Sequence, residues 1–263
     1  MRPAALILVA ALSAAADGAT RVASFSPGAT RTLTDLGATD EVVAVTRWCP
    51  LPEGHPAART CDAFAPDMER LRAARPDVVI LPRLANPLWA ERCRKEGFRT
   101  LVLSPESADS AAADILAIGE AVGRKPAAKG LAAQLGPAYD DASPRRTVAV
   151  IWSGVTAGED SYLAGPLRTF GFTLVPAKGS WNRLDWETLA DANPQLIIWV
   201  EESPKDGPVV KSAARLSQLS QVPAVKDVRA VREGSVYAVP SGSDWLPGSG
   251  LAGLRLRLGD LPR

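Results

Sequence analysis

The sequence predicts an α/β protein with two Rossmann-like lobes, each on a parallel sheet, joined by a long backbone helix. Three observations predict it. Short β-branched apolar runs alternate with helix-forming stretches along 263 residues, the pattern of parallel α/β sheets. One helix-to-strand step occurs twice at identical spacing, once in each half. Between the halves lies a stretch rich in Ala and Leu, broken by few turn signals.

At the amino terminus, Met1 and Arg2 precede an apolar run at residues 3–11 and then small residues with Ala-x-Ala-like cleavage sites. That order is expected of a secretory signal peptide over residues 1–19. The run holds no Cys to take a lipid, so a free exported protein in the periplasm is expected. No later segment approaches the roughly 20 apolar residues of a membrane helix. A formal net charge of +1 and the lack of a basic stripe give nucleic acid and anionic membranes nothing to grip.

The first lobe is expected over residues 20–123, with strands at residues 21–24, 42–46, 78–80 and 100–103. Its repeat copy reads Asp67-Met68-Glu69-Arg70-Leu71 and then Arg75-Pro76-Asp77-Val78-Val79-Ile80. The second copy reads Asp185-Trp186-Glu187-Thr188-Leu189 and then Asn193-Pro194-Gln195-Leu196-Ile197-Ile198. In each, an Asp caps a short helix, a Glu occupies the first turn, a Pro ends it, and a buried strand follows. Helical residues 108–122 lead into a connecting helix from residue 126 to 142, within a linker at 124–145. The second lobe occupies 146–263, with further strands at 147–152, 173–175 and 236–239.

Gly248-Ser249-Gly250-Leu251-Ala252-Gly253 matches the dinucleotide-binding glycine pattern. It has no β-α-β unit around it and no acidic residue about 20 positions later, so no nucleotide site is expected. The glycines instead open a last helix at residues 251–258 and permit close packing. A P-loop and a Gly-x-Ser-x-Gly elbow are both missing, and His55 is the only histidine, so no catalytic residues are assigned. Cys49, Cys61 and Cys93 form no C-x-x-C pair, and neither a metal site nor a resident cofactor is expected. In an oxidising compartment Cys49 and Cys61 can close a small loop, leaving Cys93 as a buried helical thiol; the alternative is three reduced cysteines.

Seven tryptophans are the richest functional signal. Trp48, Trp89, Trp181, Trp186 and Trp245 fall in loops or at helix starts, where an indole can pave a cleft for a broad planar ligand. Trp152 and Trp199, at strand ends, read better as core.

Taken in order, several segments resemble the helical-backbone class of periplasmic binding proteins of ABC importers, in particular its cobalamin-binding members. They are Ser26-Pro27, Trp48-Cys49-Pro50-Leu51-Pro52-Glu53, the paired Glu-to-Pro segments, Thr156-Ala157-Gly158, Gly171-Phe172 and Ser243-Asp244-Trp245. The resemblance implies a ligand cleft between the lobes, lined by Trp48, Phe64, Trp89, Trp181, Asp244 and Trp245. It implies a corrinoid ligand, a monomer, and docking of Glu69 and Glu187 on permease subunits. A plainer role for each Glu is complementing its helix dipole, worth about 0.3–1 kcal/mol. The sequence departs from the family at Thr30-Arg31 and at Pro82-Arg83-Leu84-Ala85-Asn86-Pro87. Arg47 and Arg83, if they face the cleft, favour an anionic ligand such as a ferric siderophore or haem. A secreted α/β enzyme is the reading from another class.

Overall fold

The computed structural model describes residues 20–62, 67–83, 85, 87–104, 108–135, 146–203, 207–241, 245, 248–251 and 254. The signal peptide expected over 1–19 therefore lies outside the described residues.

The first lobe opens with β1 (Val22–Ser24) and α1 (Pro27–Asp35). Ser26 accepts from the Ala29 amide as N-cap, and Pro27 takes the first helical turn, where its missing N–H costs nothing. Then come β2 (Val42–Thr46), β3 (Ala58–Cys61), α2 (Met68–Ala74), β4 (Val78–Pro82), α3 (Pro87–Lys95) and β5 (Arg99–Leu103). The five strands form one parallel sheet in the order β3-β2-β1-β4-β5. The order reverses between β1 and β4, and at such a switch point the carboxyl ends of neighbouring strands leave a crevice.

Two helices follow, α4 (Ala108–Ala121) and α5 (Lys125–Ala133). The connecting helix expected from residue 126 to 142 is shorter than that: it ends at Ala133, where Gln134 and Leu135 close a tightened last turn on the Leu131 and Ala132 carbonyls, and residues 136–145 lie outside the described set. Buried Glu41 pairs with Arg124, the residue capping α5, at 2.9 Å, which ties the connector to the first lobe.

The second lobe contains β6 (Arg146–Trp152), β7 (Val155–Ala157), α6 (Ala164–Thr169), β8 (Phe172–Leu174) and β9 (Trp181–Arg183). It continues with α7 (Trp186–Ala192), β10 (Leu196–Glu201), β11 (Val210–Lys211), α8 (Ala213–Ser220), α9 (Arg229–Arg232) and β12 (Val236–Pro240). Strands β8, β6, β10 and β12 run parallel, while β7, β9 and β11 add antiparallel edges. The sequence missed β3, β7, β9 and β11, which are short or polar and carry no apolar run of strand length.

Successive residues of the central strands feed opposite layers. Val78 and Ile80 enter the layer under α1 and α4, whereas Val79 and Leu81 enter the layer under α2 and α3. In the second lobe Val148 and Val150 oppose Ala149 and Ile151 in the same way. Strands buried on both faces are nearly continuous in apolar residues, which is why they were legible. One layer is common to both lobes: it holds Leu33 of α1, Ile115 of α4, Leu163, Leu167, Trp245, Leu251 and Leu254.

The chain end returns to its beginning here. The Ser249 amide donates to Thr32 Oγ1 at 3.2 Å, and that hydroxyl lies 3.1 Å from Ser249 Oγ. Gly248 adopts φ +90, and a side chain at this position would begin 2.8 Å from Thr32 Oγ1. Gly248 is thus a close-packing position, as expected, while most of the helix expected at 251–258 lies outside the described residues.

The repeat is reproduced in detail. Asp67 and Asp185 each accept from two amides of the first turn, and each helix ends one residue before the Pro in a left-handed residue, Arg75 at φ 46 and Asn193 at φ 40. The Pro does not end the helix itself; the left-handed residue before it turns the chain out, and the Pro starts the extended segment.

Cys49 and Cys93 are buried free thiols. The loop from Cys49 to Cys61 is therefore not closed by a disulfide: Cys49 Sγ points inward, 3.2 Å from Thr46 Oγ1 and 3.7 Å from the Ser24 carbonyl. The Cys61 side chain lies outside the described residues. Cys93 sits on α3 as expected, and burial pushes its thiol up. Among the described residues no helix is long and apolar enough to cross a membrane, and no cluster of metal-ligating side chains occurs.

Candidate functional site

A cavity of about 660 Å³ opens at the switch point of the first sheet. Its first-lobe wall is made by the turn after β1 and the start of α1 (Ser26, Gly28, Ala29, Thr32), by Pro82 and Arg83 after β4, and by Leu103 at the end of β5. Asp114 and Ile118 of α4 reach into the same space. The second-lobe wall is Glu159, Asp160, Tyr162, Ser180, Trp181 and Gly248. Residues from both lobes thus enclose one cleft, at the place where parallel-sheet topology leaves room for a ligand.

Trp181 is the aromatic surface of this cleft. The Trp152 ring meets it edge-on at 6.0 Å and 74°, and the Tyr162 ring leans on it at 5.8 Å and 56°. Tyr162 donates its hydroxyl to the Trp245 carbonyl at 2.9 Å, and burial pushes its phenol up, so it stays neutral. Glu159 accepts from the Leu174 amide and pairs with Arg168, so its charge is largely spent within its own lobe. Asp160 is exposed at the cleft.

Asp114 is the most perturbed acid at the site. Burial raises its carboxyl to about 6, partly opposed by the hydrogen bond it accepts from the Ser104 amide at 3.0 Å. The folded protein therefore holds this proton more tightly than the unfolded chain, and stability falls as pH rises from about 4 through 6. An Asp114→Asn variant, still able to accept from Ser104, will remove that fall. At pH 7.5 it will be more stable by about 1.5 kcal/mol, roughly half the full linkage value because solvent screens the half-exposed carboxyl. Urea unfolding at pH 4.5 and 7.5 checks this; equal pH dependence in both proteins would refute it.

The expected site residues divide. Trp181 lines the cleft. Trp48 follows β2, on the same edge of the sheet as Ser26, but is 71% exposed with the Arg47 guanidinium 4.7 Å over its ring, and it does not line the cavity. Trp89 packs against the core under α3 with Arg92 at 5.3 Å, away from the cavity wall. Trp245 is fully buried behind Tyr162, and its indole Nε1 has no hydrogen-bond partner among the described residues. Phe64 and Asp244 lie outside the described residues. Arg83 lines the cleft, whereas Arg47 does not.

Glu69 and Glu187 are exposed in the first turns of α2 and α7. In the second copy, hydrogen bonds from the Thr188 hydroxyl and then the Glu187 amide hold the Asp185 carboxyl below its ordinary range.

Residues 22–242 match the family model described as periplasmic binding protein, most of the chain and both sheets. The chain belongs to the periplasmic binding protein family. Solved structures agree in fold. The periplasmic haem-binding protein RhuT from Roseiflexus sp. RS-1 superposes at TM-score 0.68 with 18% identity, covering 93% of this chain and 99% of that one. The vitamin B12-binding protein BtuF of Vibrio cholerae gives 0.67 and 18%, covering 92% and 97%. The molybdate-binding MolA of Haemophilus influenzae gives 0.70 and 16%, covering 91% and 84%. At these identities the likeness is one of fold alone. No curated protein sequence matches the chain closely enough to count as a relative. The family is one of solute-binding proteins.

Proposed function

We propose that this periplasmic binding protein captures a corrinoid, a cobalamin-like macrocycle, in the cleft at Trp181 and delivers it to the permease of an ABC importer. Export would follow from the leader at residues 1–19, and the chain would act as a monomer without catalysis or a resident cofactor. The observation that carries the reading is the cleft itself: a braced indole and the acids Asp114 and Asp160 line one cavity, a combination apt for a flat macrocycle with amide donors at its edge.

Haem or a ferric siderophore is the second reading, favoured by Arg83 in the cleft wall. Against haem, two described side chains that could ligate its iron, Tyr162 and His55, are engaged elsewhere. Tyr162 donates to Trp245; His55 accepts from the Ala57 amide at Nδ1 and so donates from Nε2 to the Thr39 carbonyl. A secreted enzyme gains no support from the family.

Docking is proposed through Glu69 and Glu187, one on each lobe at equivalent places in the repeat, where exposed carboxylates would steer approach and fix register on permease cations.

Visible-absorbance and calorimetric titration of the mature protein with cyanocobalamin and cobinamide, haem and a ferric siderophore serving as controls, tests the ligand class. Saturable one-to-one corrinoid binding is expected. Binding of haem or siderophore alone would replace the corrinoid with the second reading, and binding of none would overturn the carrier reading.

A further inference from the structure

A second cavity, of about 480 Å³, lies in the second lobe beside the start of α7. Its walls include Thr156, Pro176, Lys178, Arg183, Asp185 and Thr188. Lys178 and Arg183 are both exposed, and neither has an ion-pair partner among the described residues. The one acid in the wall, Asp185, is committed to its own helix, accepting from the Glu187 and Thr188 amides at 3.2 and 3.3 Å. The pocket is therefore a built concavity with two uncommitted cations.

The equivalent place in the first lobe differs. Where α7 has Thr188, α2 has Arg70, which pairs back onto Asp67 at 3.4 Å, and Arg72 is held by Glu96. The two helices that carry the first-turn Glu thus start in different electrostatic settings: paired cations on α2, and unpaired ones in the pocket that includes Asp185 and Thr188 of the α7 start.

We infer that the Lys178–Arg183 pocket receives a carboxylate of the permease next to the cation that meets Glu187. This rests on the docking reading proposed above. The partner surface would carry an acidic and a basic side chain side by side, and the second lobe would engage it at two points where the first engages it at one. Charge complementarity selects this occupant: a pocket with an excess of positive charge beside an exposed carboxylate matches an ion pair in reverse order.

The experiment measures affinity of the full mature protein for its cognate permease–ATPase complex in nanodiscs. The variants are Lys178→Gln with Arg183→Gln, Lys178→Glu with Arg183→Glu, and Glu69→Gln with Glu187→Gln. Neutralising the pocket is expected to weaken docking about fivefold, from two exposed pairs, and charge reversal to weaken it further. Ligand affinity and thermal unfolding should stay unchanged, because both cations are solvent-facing. If the pocket variants dock like wild type while the glutamate variant weakens, the pocket inference is overturned and the docking reading stands. If pocket variants weaken docking and the glutamate variant does not, the glutamate reading falls, and with it the placement of the pocket's carboxylate next to a cation that meets Glu187. If neither weakens docking, both fall, and a loss of ligand affinity in the pocket variants would also overturn the inference.

Discussion

Gly158→Ala will lower stability by about 2–3 kcal/mol, the cost of forcing a methyl group into a packed backbone crossing. A Cβ on Gly158 would overlap the Gly179 carbonyl and lie 2.6 Å from the Lys178 carbonyl and 3.0 Å from Asn182 Nδ2. Two of these neighbours are backbone oxygens, so no side-chain rotation relieves the clash. The loop is also fixed from its other side: Gly158 donates to the Ser180 carbonyl at 2.8 Å, Asp160 to the Gly179 carbonyl at 3.0 Å, and Asn182 Nδ2 to the Lys178 carbonyl at 2.7 Å. Relief must break some of these bonds and move Ser180 and Trp181, which line the cleft. The variant should therefore lose ligand affinity as well as urea resistance. An unfolding midpoint equal to that of wild type would show that the crossing is looser than its geometry indicates.

Trp181→Ala has the largest expected effect on ligand binding. The indole is braced by Trp152 and Tyr162, so it presents its face at little entropic cost, the condition under which an aromatic contact counts most. Truncation should weaken binding of the saturating ligand by about 2–3 kcal/mol, or roughly 30- to 150-fold, whereas Trp181→Phe retains most of the affinity. Calorimetry with each variant measures this. Equal affinity for wild type and Trp181→Ala would remove the cleft as the ligand's seat.

Much of the architecture was readable because its strands are buried on both faces. Val78, Val79, Ile80 and Leu196, Ile197, Ile198 leave little choice of structure, and the Asp caps mark the helices before them. The cleft was less readable. Trp181 could be selected from residue type, but Trp48, Trp89 and Trp245 show that an indole near a loop end is as easily exposed or packed away as set against a ligand. Asp114 carried a usable signal that went unread. It stands between Ala111, Ile115 and Ile118 on the buried face of α4, where helical periodicity calls for an apolar residue. Tyr162, Glu159 and Asp160 had no such mark; long-range folding alone brings them to the crevice. The basic pocket was equally silent, since its cations matter only through the absence of partners in space.

The contact between Thr32 and Ser249 has a consequence for biogenesis. The flank of α1 that carries Thr32 is completed by a residue 217 positions further along the chain. A chain synthesised from its amino terminus leaves that flank of the helix uncovered until the segment around Ser249 has emerged. The segment around Ser249 thus serves as the latch of a helix that belongs to the other lobe.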